Sequence, residues 1–410
     1  MRLPESFGPL RERDFRLLFF GQAISWLGTG MVGVALAFAV LSVTGSVSDL
    51  GFVFAARSLP MVVFLLAGGV FADRLPRRGV MIAADLVRLA SQGLLAALLV
   101  AGVANLWEIV VLVTVGGAAT AFFNPAVTGL VAQTVSSERL QQANALRSVS
   151  ASLGGVLGPA LAGVLVATVG AGYALAVDAA TFALSAGFLA RLRLPPDERL
   201  PAQALVRELA EGWHEFRSRT WLLTANVEAA LANALVLAPF TVLGPVVSKR
   251  SLGGAGAWAL ISAAFGAGSI FGGVVALRYR PRRPLLVGLA LTIVDAPLLA
   301  LLALHANAVA VAAFALLGGA SLALLNTLWE TTIQEQVPPR FLSRITAYDL
   351  FTSVVAYPLG LALAGVLAGH VVGVDGMLWV GAATAVVLSA AVFLVPSIRE
   401  LESRQAQAPP

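Results

Sequence analysis

The chain has no cysteine, only three histidines and a single lysine among 410 residues. Without thiols there is no disulfide framework and no thiolate metal site. His214, His305 and His370 are too scattered for metal-ligand spacing, so neither a metal nor a cofactor is expected. Charge is scarce as well: Asp, Glu, Lys and Arg make up 12% of the residues, about half the share of a soluble protein. No G-x-x-x-x-G-K-[ST] phosphate loop occurs, and Lys249 stands alone, so direct nucleotide drive is excluded. The first residues, MRLPESFGPLRERDF, lack a short apolar core with a small-residue cleavage site, and a cleaved signal peptide is not expected.

What is present is apolar bulk: 58% hydrophobic residues and a mean hydropathy of +0.87. It arrives in runs of about 20 residues or more, the length that crosses about 30 Å of hydrocarbon. Polar punctuation separates twelve expected spans, at 17–41, 50–72, 80–101, 106–130, 146–168 and 172–190, then 221–246, 256–277, 285–304, 308–332, 346–369 and 374–395. The expectation is an all-α membrane protein, with a six-helix bundle over 1–190 and a linker over 191–220. A second bundle follows over 221–398 and a tail over 399–410. If the N-terminus is cytoplasmic, 23 of the 27 basic residues fall inside, two outside (Lys249, Arg250) and two within spans (Arg57, Arg88). This is the positive-inside pattern. It places both termini and the linker in the cytoplasm, and it accounts for the sequence pI of about 10.3 without nucleic acid.

The halves repeat each other. A shift of 202 residues lays Ala160–Leu165 (ALAGVL) on Ala362–Leu367, again ALAGVL, and pairs Asn124 with Asn326, Val135 with Val337 and Leu140 with Leu342. Two parallel six-helix repeats are therefore expected, an arrangement that usually sets a substrate site near mid-bilayer at the repeat interface.

Two motifs carry a family likeness. At the foot of span two stands Gly69-Val70-Phe71-Ala72-Asp73-Arg74-Leu75-Pro76-Arg77-Arg78. On residues alone it is a helix exit whose carboxylate can pair with guanidinium groups, or positive-inside charge and nothing more. It resembles the G-x-x-x-D-R-x-G-R-R loop of the major facilitator superfamily, with Pro76 at the usual second glycine. The resemblance implies a conformational latch made of Gly69, Asp73, Arg74, Arg77 and Arg78. The matching loop of the second half, 273–283, keeps arginines but has Leu277 in place of the aspartate. In span five, Gly154, Gly158 and Ala162 recur every four residues, as do Gly155, Pro159 and Gly163. That spacing suits close helix packing. The string also resembles the G-x-x-x-G-P-x-x-G-G motif of the superfamily's exporters, which assigns Gly154, Gly158, Pro159 and Gly163 to it. Phe122–Ala126, Leu140–Leu146, Val177–Phe182 and Val337–Arg340 are similar to the drug:proton antiporter branch that includes macrolide-efflux and enterobactin-exporter proteins.

A charge at mid-membrane costs at least about 2.5–3.5 kcal/mol on insertion scales, so each needs a partner or a task. Asp85 and Arg88 lie three apart on one helix face and can neutralise each other; Arg57, Asp178 and Asp295 are further intramembrane charges of open role. In span ten, Asn326, Glu330 and Gln334 form one polar stripe at i, i+4 and i+8. Its repeat mate in span four holds Thr120, Asn124 and Thr128, and span one presents Gln22, Trp26 and Thr29. Interhelical hydrogen bonding is one reading of these stripes; cavity lining, which the resemblance implies for spans one, four, seven and ten, is the other. In span seven Asn226 and Asn233 face one way, while Glu228 points about 160° from Asn226 on an ideal helix and is not expected on the same narrow surface.

The expected function is export of small amphipathic molecules (drug, antibiotic or siderophore-like) by proton antiport through alternating access. A proton-coupled uptake symporter or lipid transporter of the same fold is the alternative. A buried carboxylate can take up a proton near neutral pH; Glu330 is the first candidate and Glu228 the second. Small molecule, proton and lipid bilayer are the expected partners, in a bacterial cytoplasmic membrane, with a monomeric chain and no enzymatic activity.

Overall fold

A backbone in hydrocarbon has no water to bond, so it must satisfy its N–H and C=O groups within itself. In the computed structural model every long apolar run accordingly becomes a helix. The structure describes residues 5–74, 76–193, 214 and 216–402, with side chains apart from 5–7, 65–74, 125, 128, 129, 132, 137, 339–344, 346–348 and 350–354. Among the described residues there is no strand. The chain divides into two compact units, Met1–Pro201 and Ala202–Pro410.

The first unit holds α1 (Arg13–Val43), α2 (Val47–Arg74), α3 (Arg77–Val100), α4 (Leu106–Thr134), α5 (Leu140–Thr168) and α6 (Ala171–Leu189). The second holds α7 (Thr220–Leu252), α8 (Ala255–Ala276), α9 (Pro284–Ala303), α10 (Ala308–Gln336), α11 (Pro339–His370) and α12 (Gly373–Ala391). Eleven described helices are long and apolar enough to cross a bilayer, and α11 contributes the shorter apolar segment Val355–His370. Several helices outrun their expected spans because polar ends stay helical. α5 starts at Leu140, so Arg147, counted above among the cytoplasmic arginines, sits two turns inside a helix.

The internal repeat reappears in packing and in punctuation. In the first unit α1 packs on α5 and α6, α2 on α4, and α3 on α4 and α6; in the second, α7 packs on α11 and α12, α8 on α10, and α9 on α10 and α12. Asn105 caps α4 by accepting from the Glu108 N–H at 3.2 Å, with Glu108 answering in a capping box. At the same place 202 residues on, Asn307 caps α10 by accepting from the Ala310 N–H at 2.9 Å. The turns into α6 and α12 each use a left-handed glycine, Gly170 at φ 102° and Gly373 at φ 75°.

Small residues face inward and large apolar ones outward, the reverse of a soluble helix. On α5, Gly154, Gly158, Ala162 and Gly163 are buried while Leu153, Leu157, Leu161 and Val164 are exposed. A Cβ on Gly158 would lie 2.6 Å from the carbonyl carbon of Gly30 in α1, and one on Gly154 would lie 2.8 Å from the backbone of Trp26. The two backbones touch only because neither helix carries a side chain there. In the second unit, Gly360 of α11 approaches Ala234 of α7 in the same way.

Gly158→Val forces α1 and α5 apart, and overpacking of this kind costs about 1–3 kcal/mol or more. The thermal unfolding midpoint of the detergent-solubilised variant should fall clearly. Gly155→Val, one residue away where a Cβ meets nothing within 4 Å, should leave it unchanged.

Candidate functional site

Inside the second unit lies a cavity of about 550 Å³, the size range of small-molecule sites. α7 presents Ala225, Glu228, Ala229, Ala232, Asn233, Val236, Leu237 and Phe240 to it, a run at helical spacing. Midway along that run, Asn233–Leu237 widens into a π-helical turn, a feature frequent at functional sites. Glu228 and Asn233 flank the lined face on either side. The cavity thus takes in a broad arc of α7, which corrects the expectation that Glu228 is turned away from the lining. Asn226 is buried instead, donating to the Leu222 carbonyl at 3.0 Å.

α10 supplies the stripe found by spacing: Asn326, Glu330 and Gln334 all line the cavity, joined by Trp329. α9 adds Thr292 and Asp295. Asp295 opens the last helical segment of α9 after a 3-10 turn at Leu291–Val294. Gly318 of α10 leaves room for its carboxylate, since a Cβ there would lie 3.0 Å from Oδ1. From α11 comes Asp349, a residue absent from the candidates above, which accepts a hydrogen bond from Trp329 Nε1 at 3.0 Å. Trp329 in turn meets Trp221 edge-on at 6.0 Å, and Phe240 stacks on Phe265 at 5.7 Å.

Four carboxylates therefore converge in one apolar chamber: Glu228, Asp295, Glu330 and Asp349. No Lys, Arg or His is among the lining residues. Glu228 is close enough to Asp295, and Asp349 to Glu330, for each pair to feel its neighbour's charge. Their exposure differs. Glu330 is exposed, whereas Glu228 is 7% accessible and its Oε1 has no hydrogen-bond partner.

The first unit treats its charges differently. Asp85, fully buried, pairs with Arg88, whose guanidinium also lies over the rings of Phe123 and Phe182 at 4.1 and 4.4 Å. Gln92 Nε2 donates to Asp178 Oδ2 at 3.0 Å, and Arg57 and Arg88 both act electrostatically on Asp178. Here the intramembrane charges compensate one another. Arg147 Nε donates to Gln22 Oε1 at 2.9 Å and its guanidinium lies 5.6 Å from the Trp26 ring. Asn124 is exposed and lies outside this cluster. Arg147 and Asp349 are repeat mates at the same 202-residue offset, of opposite charge, and each is held by a tryptophan.

Of the latch residues, the side chains of Asp73 and Arg74 and the surroundings of Gly69 lie outside the described residues, as do those of Thr128, Arg340 and Arg344 and most of the linker. Arg78 caps α6, its Nε donating to the Leu189 carbonyl at 3.0 Å and its Nη2 to that of Ala190. Arg77 is half-buried and engaged.

With this geometry in view, the comparisons with known proteins are informative. The family model described as transmembrane secretion effector, of the major facilitator superfamily, matches residues 4–409. Macrolide efflux protein A of Streptococcus pyogenes is 24% identical over 401 residues, covering 95% of this chain and 97% of that protein. The multidrug efflux pump Tap of Mycolicibacterium fortuitum is 27% identical over 409 residues, with 94% and 96% covered. The enterobactin exporter EntS of Shigella flexneri is 29% identical over 363 residues, with 86% and 84% covered. Among solved structures, the nucleoside transporter NupG superposes with a TM-score of 0.73 at 13% identity, covering 92% of this chain and 98% of that one. A bacterial homologue of the human lysosomal transporter Spinster gives 0.72 at 16% identity, covering 95% and 97%. These last two share the fold.

Removing one member of a buried ion pair typically costs about 3–5 kcal/mol. Arg88→Met, which strands Asp85, should lower the unfolding midpoint sharply, and adding Asp85→Leu should restore part of the loss. An unchanged midpoint for Arg88→Met would contradict the pairing.

Proposed function

The chain belongs to the transmembrane secretion effector family of the major facilitator superfamily, and from that premise we propose that it exports small amphipathic molecules in exchange for protons by alternating access. The protein is a membrane transporter and not an enzyme. The proposed setting is a bacterial cytoplasmic membrane with both termini in the cytoplasm, in keeping with the arginine distribution. Export accords with the span-five motif, packed at Gly154 and Gly158 against α1, and with the efflux proteins among the relatives.

The observation that carries the proton reading is Glu228, buried and without a hydrogen-bond partner for Oε1, beside a second carboxylate, Asp295. A charge left unpaired in an apolar site is so costly that the group neutralises itself when a proton is offered. Two such groups side by side sharpen the effect, because like charges disfavour joint ionisation. Glu330, the first candidate from spacing, gives way to Glu228 here: it is exposed, so water can solvate its charge. A proton taken up from the acidic outer side and released to the cytoplasm would bias the transporter toward alternate states, and cargo would move the other way.

In inverted membrane vesicles with an acid lumen, the wild-type protein should accumulate a radiolabelled macrolide, and a protonophore should abolish the accumulation. Glu228→Gln should reduce gradient-driven accumulation at least tenfold at unchanged protein level, while Glu330→Gln retains most of it. Accumulation indifferent to the protonophore, or to Glu228→Gln, would contradict the proposal.

A further inference from the structure

The geometry points to lipophilic organic cations as the cargo class of the cavity in the second unit: a positive centre seated at Glu228 and Asp349, with an apolar or aromatic body against Trp329, Phe240 and Phe265. The inference rests on the transporter reading above and narrows it to one sign of charge.

Three independent features support it. The first is the carboxylate atom with nothing to bond. Glu228 lines the cavity, is 7% accessible, and its Oε1 lacks any hydrogen-bond partner. A buried carboxylate oxygen aimed into an empty chamber is an acceptor that a cationic ligand would satisfy. The second is the absence of compensation. The first unit answers Asp85 and Asp178 with Arg88 and Gln92, whereas the chamber wall has four carboxylates and no basic side chain. Its field is negative whenever any of them is ionised, and low-dielectric walls concentrate that field. An anion would face this repulsion with no donor other than amides, a hydroxyl and the indole N–H, which Asp349 already occupies.

The third feature is the aromatic wall. Trp329 is fixed by its bond to Asp349 and by the edge contact with Trp221, and Phe240 is fixed between Trp258 and Phe265. Rigid ring faces beside carboxylates attract organic cations through the ring quadrupole, by about 0.5–2 kcal/mol per face. A volume of about 550 Å³ admits a drug-sized body rather than a metal ion or a simple amine.

The test uses a pair of ions with the same shape and opposite charge. Full-length protein in lipid nanodiscs is titrated with radiolabelled tetraphenylphosphonium at neutral pH without any gradient, and binding to empty nanodiscs is subtracted. Saturable binding is expected, and tetraphenylborate in a hundredfold excess should not displace it. The double variant Glu228→Gln, Asp349→Asn should weaken binding at least tenfold, while Asp375→Asn, outside the cavity where Asp375 pairs with His305, should not. Equal or tighter binding of tetraphenylborate to the wild-type protein overturns the inference, and so does an unaltered affinity of a folded double variant. Comparing the two ions on the wild type decides the matter even if the variant fails to fold. Because no gradient is involved, the export reading fails separately. A protein that binds the phosphonium but moves no cargo against a proton gradient refutes export alone, and one that exports a neutral macrolide while ignoring the phosphonium refutes the cation class alone.

Discussion

Ionised side chains inside a hydrocarbon slab must be compensated or employed, and the arrangement of this molecule follows from that constraint. Its two units meet the constraint in different ways. Between α3, α4 and α6 the buried Asp85, Arg88, Gln92 and Asp178 bind one another, with Phe123 and Phe182 covering the guanidinium. Around the chamber walled by α7 to α11, by contrast, Glu228, Asp295, Glu330 and Asp349 gather without a counter-charge. The first arrangement holds helices together; the second keeps a set of acceptors open for protons and cargo.

Packing makes the second arrangement tolerable. Without a hydrophobic drive between helices in lipid, cohesion comes from backbone approach at small residues. That role falls to Gly30, Gly154 and Gly158 in one unit and to Ala234 and Gly360 in the other. With the seams carrying cohesion, the chamber wall can keep polar groups that contribute nothing to it. The repeat preserves this plan in both units, down to the asparagine caps at Asn105 and Asn307. It diverges at the charged position of α5 and α11, arginine at 147 and aspartate at 349.

Much of this could be read from residues alone. Runs of apolar residues mark the helices because hydrocarbon leaves the backbone no other choice, and the stripe Asn326, Glu330 and Gln334 follows from 3.6-residue periodicity. The pairing of Asp85 with Arg88 follows from their i,i+3 spacing. Other features depend on three-dimensional placement. Glu228 and Asn233 share a chamber because its arc is broad and α7 widens at Asn233–Leu237, neither of which periodicity encodes. Asp295 reaches the chamber through a 3-10 turn in α9 and the space at Gly318. Asp349 was open to the same insertion-cost argument as the other carboxylates. It sits near the polar start of its helix, where a carboxylate reads as an ordinary membrane-edge charge, and only the bond from Trp329 marks it. Arg147 was hidden likewise among the cytoplasmic arginines, because helix α5 begins earlier than its apolar run.

The central claim is that the uncompensated chamber of the second unit holds the cargo. A photoactivatable aryl-azide analogue of a lipophilic cation, cross-linked to the membrane-embedded protein and mapped by mass spectrometry, tests this most directly. The account predicts adducts on the α7 and α10 peptides containing Phe240 and Trp329, suppressed by excess unmodified cation. Adducts confined to peptides of α1 to α6, with none on α7 or α10, would contradict it.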